Sequence, residues 1–349
     1  MAVRRPIVSV NGRREQLPEG DTLPPGEWSA ETVSQAEAEA GGSDERRAWT
    51  AVRVRQAIAA WWNSITTSFG RAFVASANAA AGRAALSVRE VLTADRTYYV
   101  RADGSDSNSG LSNTAGGAFL TVQKAVDVAA SIDSSVYQTT IKIADGTFSG
   151  LIVVGALVGA KPLAITGNDS SPASVVLTGA GNILTVNDAS ARVVLSGMRF
   201  SGGAVHLLAA PAGQIEYQNV VFGATSSRHI SAQLNGYVGA IGDYVIDGGA
   251  QSHITILQGG KVRLGRGGGT TTTITLTGTP NFFSAFVRAG EGPSALVCAV
   301  STGQPVFVGS ATGSRYSVST NAVINTNAAG ATYLPGNADG TELTGGRYV

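Results

Sequence analysis

Apolar side chains recur in two rhythms along the chain, and the change comes near Thr97. Upstream, Val54, Ile58, Trp61, Ile65 and Phe69 follow at steps of four, three, four and four. That spacing places them on one helical face within an alanine-rich stretch from Ala48 to about Leu92. Trp49 and Trp62 add to the apolar load, while Gly70 and Gly82 mark points where the helix breaks or two chains approach closely. A single helix cannot bury such a stripe alone. It packs on a β domain of its own chain, caps it as a plain amphipathic helix, or meets copies of itself about a threefold axis; an elongated protein favours the last.

Downstream of Thr97 the pattern becomes short β-rich runs split by Gly, Asn, Ser and Asp. Runs anchored at Ile141, Leu163, Ile183, Val205, Ile230, Ile254 and Ile274 predict one solenoid coil per repeat, at spacings of 22, 20, 22, 25, 24 and 20 residues. A second series sets Val193–Phe200 over Glu216–Phe222, so that Met198 meets Val220 and Phe200 meets Phe222. Two runs per coil at a fixed offset mean stacked parallel strands with like residues in register. A β-sandwich also offers many short strands, but it does not explain whole strand pairs recurring at one larger period. Phe119, Val122, Ala125, Val126 and Ala129 recur at helical spacing and predict a helix at about 118–131 that covers the first coil's open end.

The fold expected is an all-β solenoid preceded by a helical segment. Residues 1–47 form an extended, linker-like segment with a run from Pro6 to Val10 and an Asn11-Gly12 turn. Residues 48–95 are helical, 96–310 the solenoid and 311–349 a C-terminal β cap.

Composition sharpens this. Only 14% of residues are charged and 45 of 349 are Gly, against averages of about 25% and about 7%, which fits a turn-rich, charge-poor solenoid. A net charge of +1 supplies no general field for nucleic acid or anionic membrane. No apolar h-region follows the basic residues of the amino terminus, and no run of eighteen apolar residues occurs, so neither a leader nor a membrane span is expected. Cys298, the lone cysteine, sits among Leu296, Val297 and Val300 and reads as a passive core thiol.

Glycosidic hydrolysis needs two carboxyl groups on one groove, roughly 5 to 5.5 Å apart for retention or roughly 6.5 to 9.5 Å for inversion. Between Ala189 and Gly242 the only acid is Glu216. Asp243 and Asp247 are the nearest further candidates, both beside glycines where a corner role is commoner; Asp169 and Asp188 suit adjacent coils but lie in turn sequences. His206, His229 and His253, separated by 23 and 24 residues, suggest an imidazole ladder on successive coils, either a metal or relay site or a set of satisfied surface and corner residues. No Glu or Cys stands close in sequence to complete a ligand set. Asp103–Gly110, DGSDSNSG, is oxygen-rich like a calcium loop but lacks the EF-hand pattern; a tight Asx-turn loop accounts for it.

The segment Tyr98–Ser131 resembles the opening of pectin-lyase-like β-helix domains in phage tail fibres and tailspikes, with an entry strand, a DGSDSNSG-type loop and a plugging helix. Arg4–Pro24, Ala72–Val88 and the ending from Ala322 are similar to segments of such proteins. The resemblance implies a right-handed single-stranded parallel β-helix working as a homotrimer in a phage virion, made in the bacterial cytoplasm. The first 95 or so residues would trimerise and join tail, neck or collar proteins, and the body would serve assembly and adsorption to host surface glycan. No cofactor, nucleic acid or membrane insertion is implied. Two rival readings are a polysaccharide depolymerase, a glycoside hydrolase or lyase whose candidates are Glu216, Asp243 and Asp247, and a collar or decoration fibre that never touches the host. The carboxyl inventory leads to the expectation of no cleavage, unless Glu216 of one protomer faces Asp243 or Asp188 of another.

Overall fold

The computed structural model describes residues 7–10, 13–16, 29–32, 34–40, 47–48, 50–266, 270–298 and 303–349. The Asn11-Gly12 turn, Trp49 and Val300 lie outside these. The chain divides into two compact units, Met1–Val88 and Arg89–Val349.

In the first unit, Ile7–Val10 pairs antiparallel with Arg13–Gln16, and Ser29–Thr32 runs parallel to Arg47–Ala48. Helices follow at Gln35–Ala40, Ala51–Ile65, Ser68–Val74 and Ala79–Leu86. The long apolar stripe is therefore shared by two helices. The break falls at Thr66 and Thr67, ahead of Gly70, because hydroxyls there compete for backbone groups. Thr66 Oγ1 donates to the Trp62 carbonyl and Thr67 Oγ1 accepts from the Gly70 N–H, capping the next helix. Gly82 lies inside the last helix, where a Cβ would be 3.5 Å from the Phe73 ring. No residue of Ala51–Ile65 is buried, and Val54, Ile58, Trp61, Ile65 and Phe69 are each 42% to 60% exposed among the described residues.

The second unit is dominated by sequential parallel strands forming several sheets, with a short α-helix near its start, in a solenoid-like arrangement. One long ladder runs from Arg96–Val100 through ten parallel strands to Arg347–Tyr348. Its inward column is Leu163, Val193, Ile215, Val238, Val262, Leu296, Ile324 and Tyr348. A second ladder of eight strands runs from Ile152–Val154 to Thr341–Glu342. A third runs from Gly146–Ser149 to Val306–Val308 and stacks Phe148, Leu177, Phe200, Phe222, Ile246 and Leu276. The predicted registers Met198 on Val220 and Phe200 on Phe222 are those observed.

Arg192–Gly202 and Gln214–Phe222 each contribute to two ladders by turning a corner partway. The corner residues are Gly197, with φ 70°, and Asn219, with φ 48°, residue types that tolerate left-handed backbone. A Cβ on Gly197 would also come within 2.8 Å of the Asn168 carbonyl carbon.

The anchor series read from sequence mixes these ladders. Ile141 and Leu163 belong to the first, Ile183 to Ile254 to the second, and Ile274 to the third. True rung partners in the first ladder from Val193 onward differ by 22, 23, 24, 34, 28 and 24 residues, because loops of different length leave the coils at their corners. Residues 311–349 add rungs to the existing ladders: Tyr316–Val318 and Thr341–Glu342 to the second, Val323–Asn325 and Arg347–Tyr348 to the first.

The helix near the solenoid start spans Val122–Ala130 and buries Val122, Ala125, Val126 and Ala129. Phe119 is buried too, but as a bridge partner of Val100 ahead of the helix. The Asp103–Gly110 loop clasps this junction. Asp106 Oδ1 accepts from the Leu120 and Thr121 N–H groups, and its Oδ2 accepts from Thr121 Oγ1. Asn108 Nδ2 donates to the Ala115 and Ala118 carbonyls.

Candidate functional site

Each acidic candidate has a partner of its own. Glu216 lies between the buried Ile215 and Tyr217, so strand alternation turns it outward. Its carboxylate meets the Arg263 guanidinium at 3.7 Å across Gly239, which occupies the intervening rung. Asp247 pairs instead with Arg199, whose side chain runs past Gly223; a Cβ there would be 2.9 Å from Arg199 Nη2. Asp243 Oδ1 accepts from the Thr273 N–H at 2.7 Å.

Asp169 and Asp188 prove to lie on one coil, since Leu163 and Val193 are direct rung partners and both acids fall between them. The adjacent-coil expectation fails because the loop at Asn168–Ser174 lengthens this coil. Asp169 accepts from Asn219 Nδ2, and Asp188 from the Ser190 N–H and hydroxyl, which hold its carboxyl below the usual value.

The three histidines form a ladder on successive coils, and it is interior: all three are fully buried, which corrects the surface and corner reading. His206 stacks on His229 with centroids 5.1 Å apart, and His229 meets His253 at 5.2 Å. His229 Nδ1 and His253 Nδ1 are 2.9 Å apart, so one donates and the other accepts. His253 Nε2 lies 3.1 Å from the Tyr244 hydroxyl, and His206 Nε2 donates to the Gly202 carbonyl at 3.1 Å. Phe200, Phe222, Phe282 and Phe286 pack around the imidazoles.

Burial pushes His206 down to about 4 and His253 to about 3. His229 falls well below the ordinary value through burial, with its two neighbouring imidazoles adding to the shift. Among the described residues, His206 Nδ1, His229 Nε2 and the Tyr217 hydroxyl have no hydrogen-bond partner. Among the described residues no three His, Cys, Asp or Glu side chains gather as a metal site. Cys298 is buried and its thiol is pushed up to about 12 by burial.

A second cluster, on the outer face of the first ladder, surrounds Glu216. Tyr237 lies across Gly239, where a Cβ would be 2.4 Å from its hydroxyl. Its phenol is pushed up by burial, with the Arg263 charge opposing and the Glu216 charge adding to the shift. Sequence reasoning singled out Glu216 but missed Tyr237 and Arg263. The signal was there: offsets of 23 and 24 residues carry Glu216 to Gly239 and on to Arg263 in one outward row.

No family model, curated protein or solved structure matches the chain.

Proposed function

We propose that the chain is a tail fibre or spike component of a phage virion, a homotrimer whose Arg89–Val349 unit is a right-handed single-stranded parallel β-helix engaging host surface glycan. In this reading the helical unit joins three copies and attaches them to tail, neck or collar proteins. The observation that carries the reading is the parallel ladder from Arg96 to Tyr348, whose outer face presents a partly exposed polar and aromatic cluster at Glu216, Tyr237 and Arg263. Each coil of such a solenoid packs only on its neighbours, so length adds surface for an extended sugar chain. Trimerisation multiplies weak contacts. The link to a virion rests on the resemblance of Tyr98–Ser131. Labelled antibodies imaged on intact particles should decorate the tail or its fibres; particles left unlabelled would remove the virion role, and labelling confined to a collar would favour the decoration fibre.

A polysaccharide-degrading solenoid is the second reading, and the position of Glu216 favours it. This carboxylate is 31% exposed on the sheet face, beside an aromatic ring and a guanidinium. The buried histidine stack offers no surface to a substrate. Hydrolysis requires an acid together with a base or nucleophile, and within one chain Asp243 and Asp247 are engaged elsewhere. The expected result is that host polysaccharide incubated with the full chain yields no new reducing ends or unsaturated products. Products lost on Glu216→Gln would instead establish the enzyme and require the second carboxyl to come from another protomer.

A further inference from the structure

Two neighbouring outward rows of the first ladder carry an unbalanced set of side chains. One row is Arg192, Gln214, Tyr237 and Lys261; the other is Val194, Glu216, Gly239 and Arg263. Rungs lie about 4.8 Å apart, so the four rungs of the patch span roughly 14 Å, enough for a short stretch of sugar chain. It holds three cations and one acid, whereas the whole chain carries only +1. Arg192 and Lys261 are exposed.

The tyrosine is laid down rather than raised. Gly239 lacks the Cβ that would meet the Tyr237 hydroxyl at 2.4 Å, so the phenol lies across the glycine with Glu216 and Arg263 on the same outward row. The Arg263–Glu216 contact of 3.7 Å is long for a charge-assisted hydrogen bond, and the Arg263 side chain is 29% exposed. The guanidinium therefore retains donors for an added carboxylate.

We propose that this patch binds a uronate residue of an acidic polysaccharide, with the sugar ring on Tyr237 and its carboxylate between Lys261 and Arg263. The proposal rests on the glycan-engaging reading above and names the class of sugar. The negative face of an aromatic ring attracts the C–H groups on one side of a pyranose. Glu216 accepts from ring hydroxyls, Gln214 both donates and accepts, and the excess of positive charge selects an acidic sugar over a neutral one.

The test is calorimetric titration of the full chain with alginate and hyaluronate oligosaccharides, with dextran as neutral sugar and polyglutamate as sugar-free polyanion. Uronate oligosaccharides should bind and dextran should not. Tyr237→Ala and Lys261→Gln should each weaken uronate binding by about tenfold, the scale of one aromatic or charged contact, while Tyr237→Phe stays within about twofold. Thermal melting reports whether each variant folds, and the exposed Lys261 carries the test if Tyr237→Ala does not. Absence of uronate binding, or binding unchanged by both variants, would overturn the site. Polyglutamate binding as tight as uronate and insensitive to Tyr237→Ala would also overturn it, by showing that charge alone is read. Adsorption of fluorescent full chain to host cells separates the two levels: native and Tyr237→Ala chains adsorbing equally rejects only the patch, whereas no adsorption by the native chain rejects the glycan-engaging reading as well.

Discussion

Replacing Phe222 with alanine should lower the free energy of unfolding by about 3 to 5 kcal/mol, read as a fall in the denaturant midpoint at unchanged slope. Phe222 is fully buried and stacks on Phe200 with centroids 5.8 Å apart. It meets Tyr217 and Tyr244 edge-on at 5.5 and 5.7 Å and touches all three imidazoles within 6.0 Å. Its register neighbours Phe200 and Ile246 are fixed by their own ladder bonds, so the column cannot close over the missing ring. The cavity cost therefore adds to the lost transfer energy. Phe222→Leu, which refills much of the space, should cost less than half as much. A loss below about 1 kcal/mol for the alanine variant would show that this stack is not the core.

Acid should weaken the fold through the same cluster. An imidazole whose folded value lies below its unfolded one resists protonation in the native state, so its contribution is complete above about pH 6.5 and is lost as pH falls from there. The loss continues until the folded values are passed, about 4 for His206 and about 3 for His253. Within that window each imidazole removes about 1.4 kcal/mol per pH unit. The groups facing the ladder do not compensate: Tyr244 and Tyr217 stay neutral, their phenols raised by burial, and the Arg199 charge opposes protonation of His206. Equilibrium unfolding between pH 7 and 4 should show stability falling steeply below about 6.5. A chain with leucine at positions 206, 229 and 253 should lose most of that slope; an equal slope in both chains would assign it to other groups.

Local patterns in the sequence were enough for the Val122–Ala130 helix, the outward and inward alternation and the Phe200 to Phe222 register, because each depends on residues one turn or one coil apart. The assignment of runs to ladders was not legible. Ile183 and Ile274 look alike as isolated apolar runs, and only corner geometry at residues such as Gly197 and Asn219 sends them to different sheets. The helix stripe was read as continuous because apolar periodicity carries no record of Thr66 and Thr67 turning their hydroxyls onto the backbone. The histidine spacing gave the ladder but not its burial, since the rings that enclose it come from other runs, such as Tyr244 and Phe286. Tyr237 went unnoticed for the converse reason. Its role depends on an absent side chain at Gly239, and absence has no hydrophobic signature.

The central claim, a solenoid that works as a homotrimer, is tested most directly by sedimentation equilibrium of the full chain at micromolar concentration. Ile58, Trp61 and Ile65 on Ala51–Ile65 are exposed, and the proposed trimer would bury them between copies. The predicted mass is three times 35.4 kDa, and Ile58→Asp should shift the population toward monomer by placing a charge in an apolar contact. A single species of 35.4 kDa in the native chain would contradict the account.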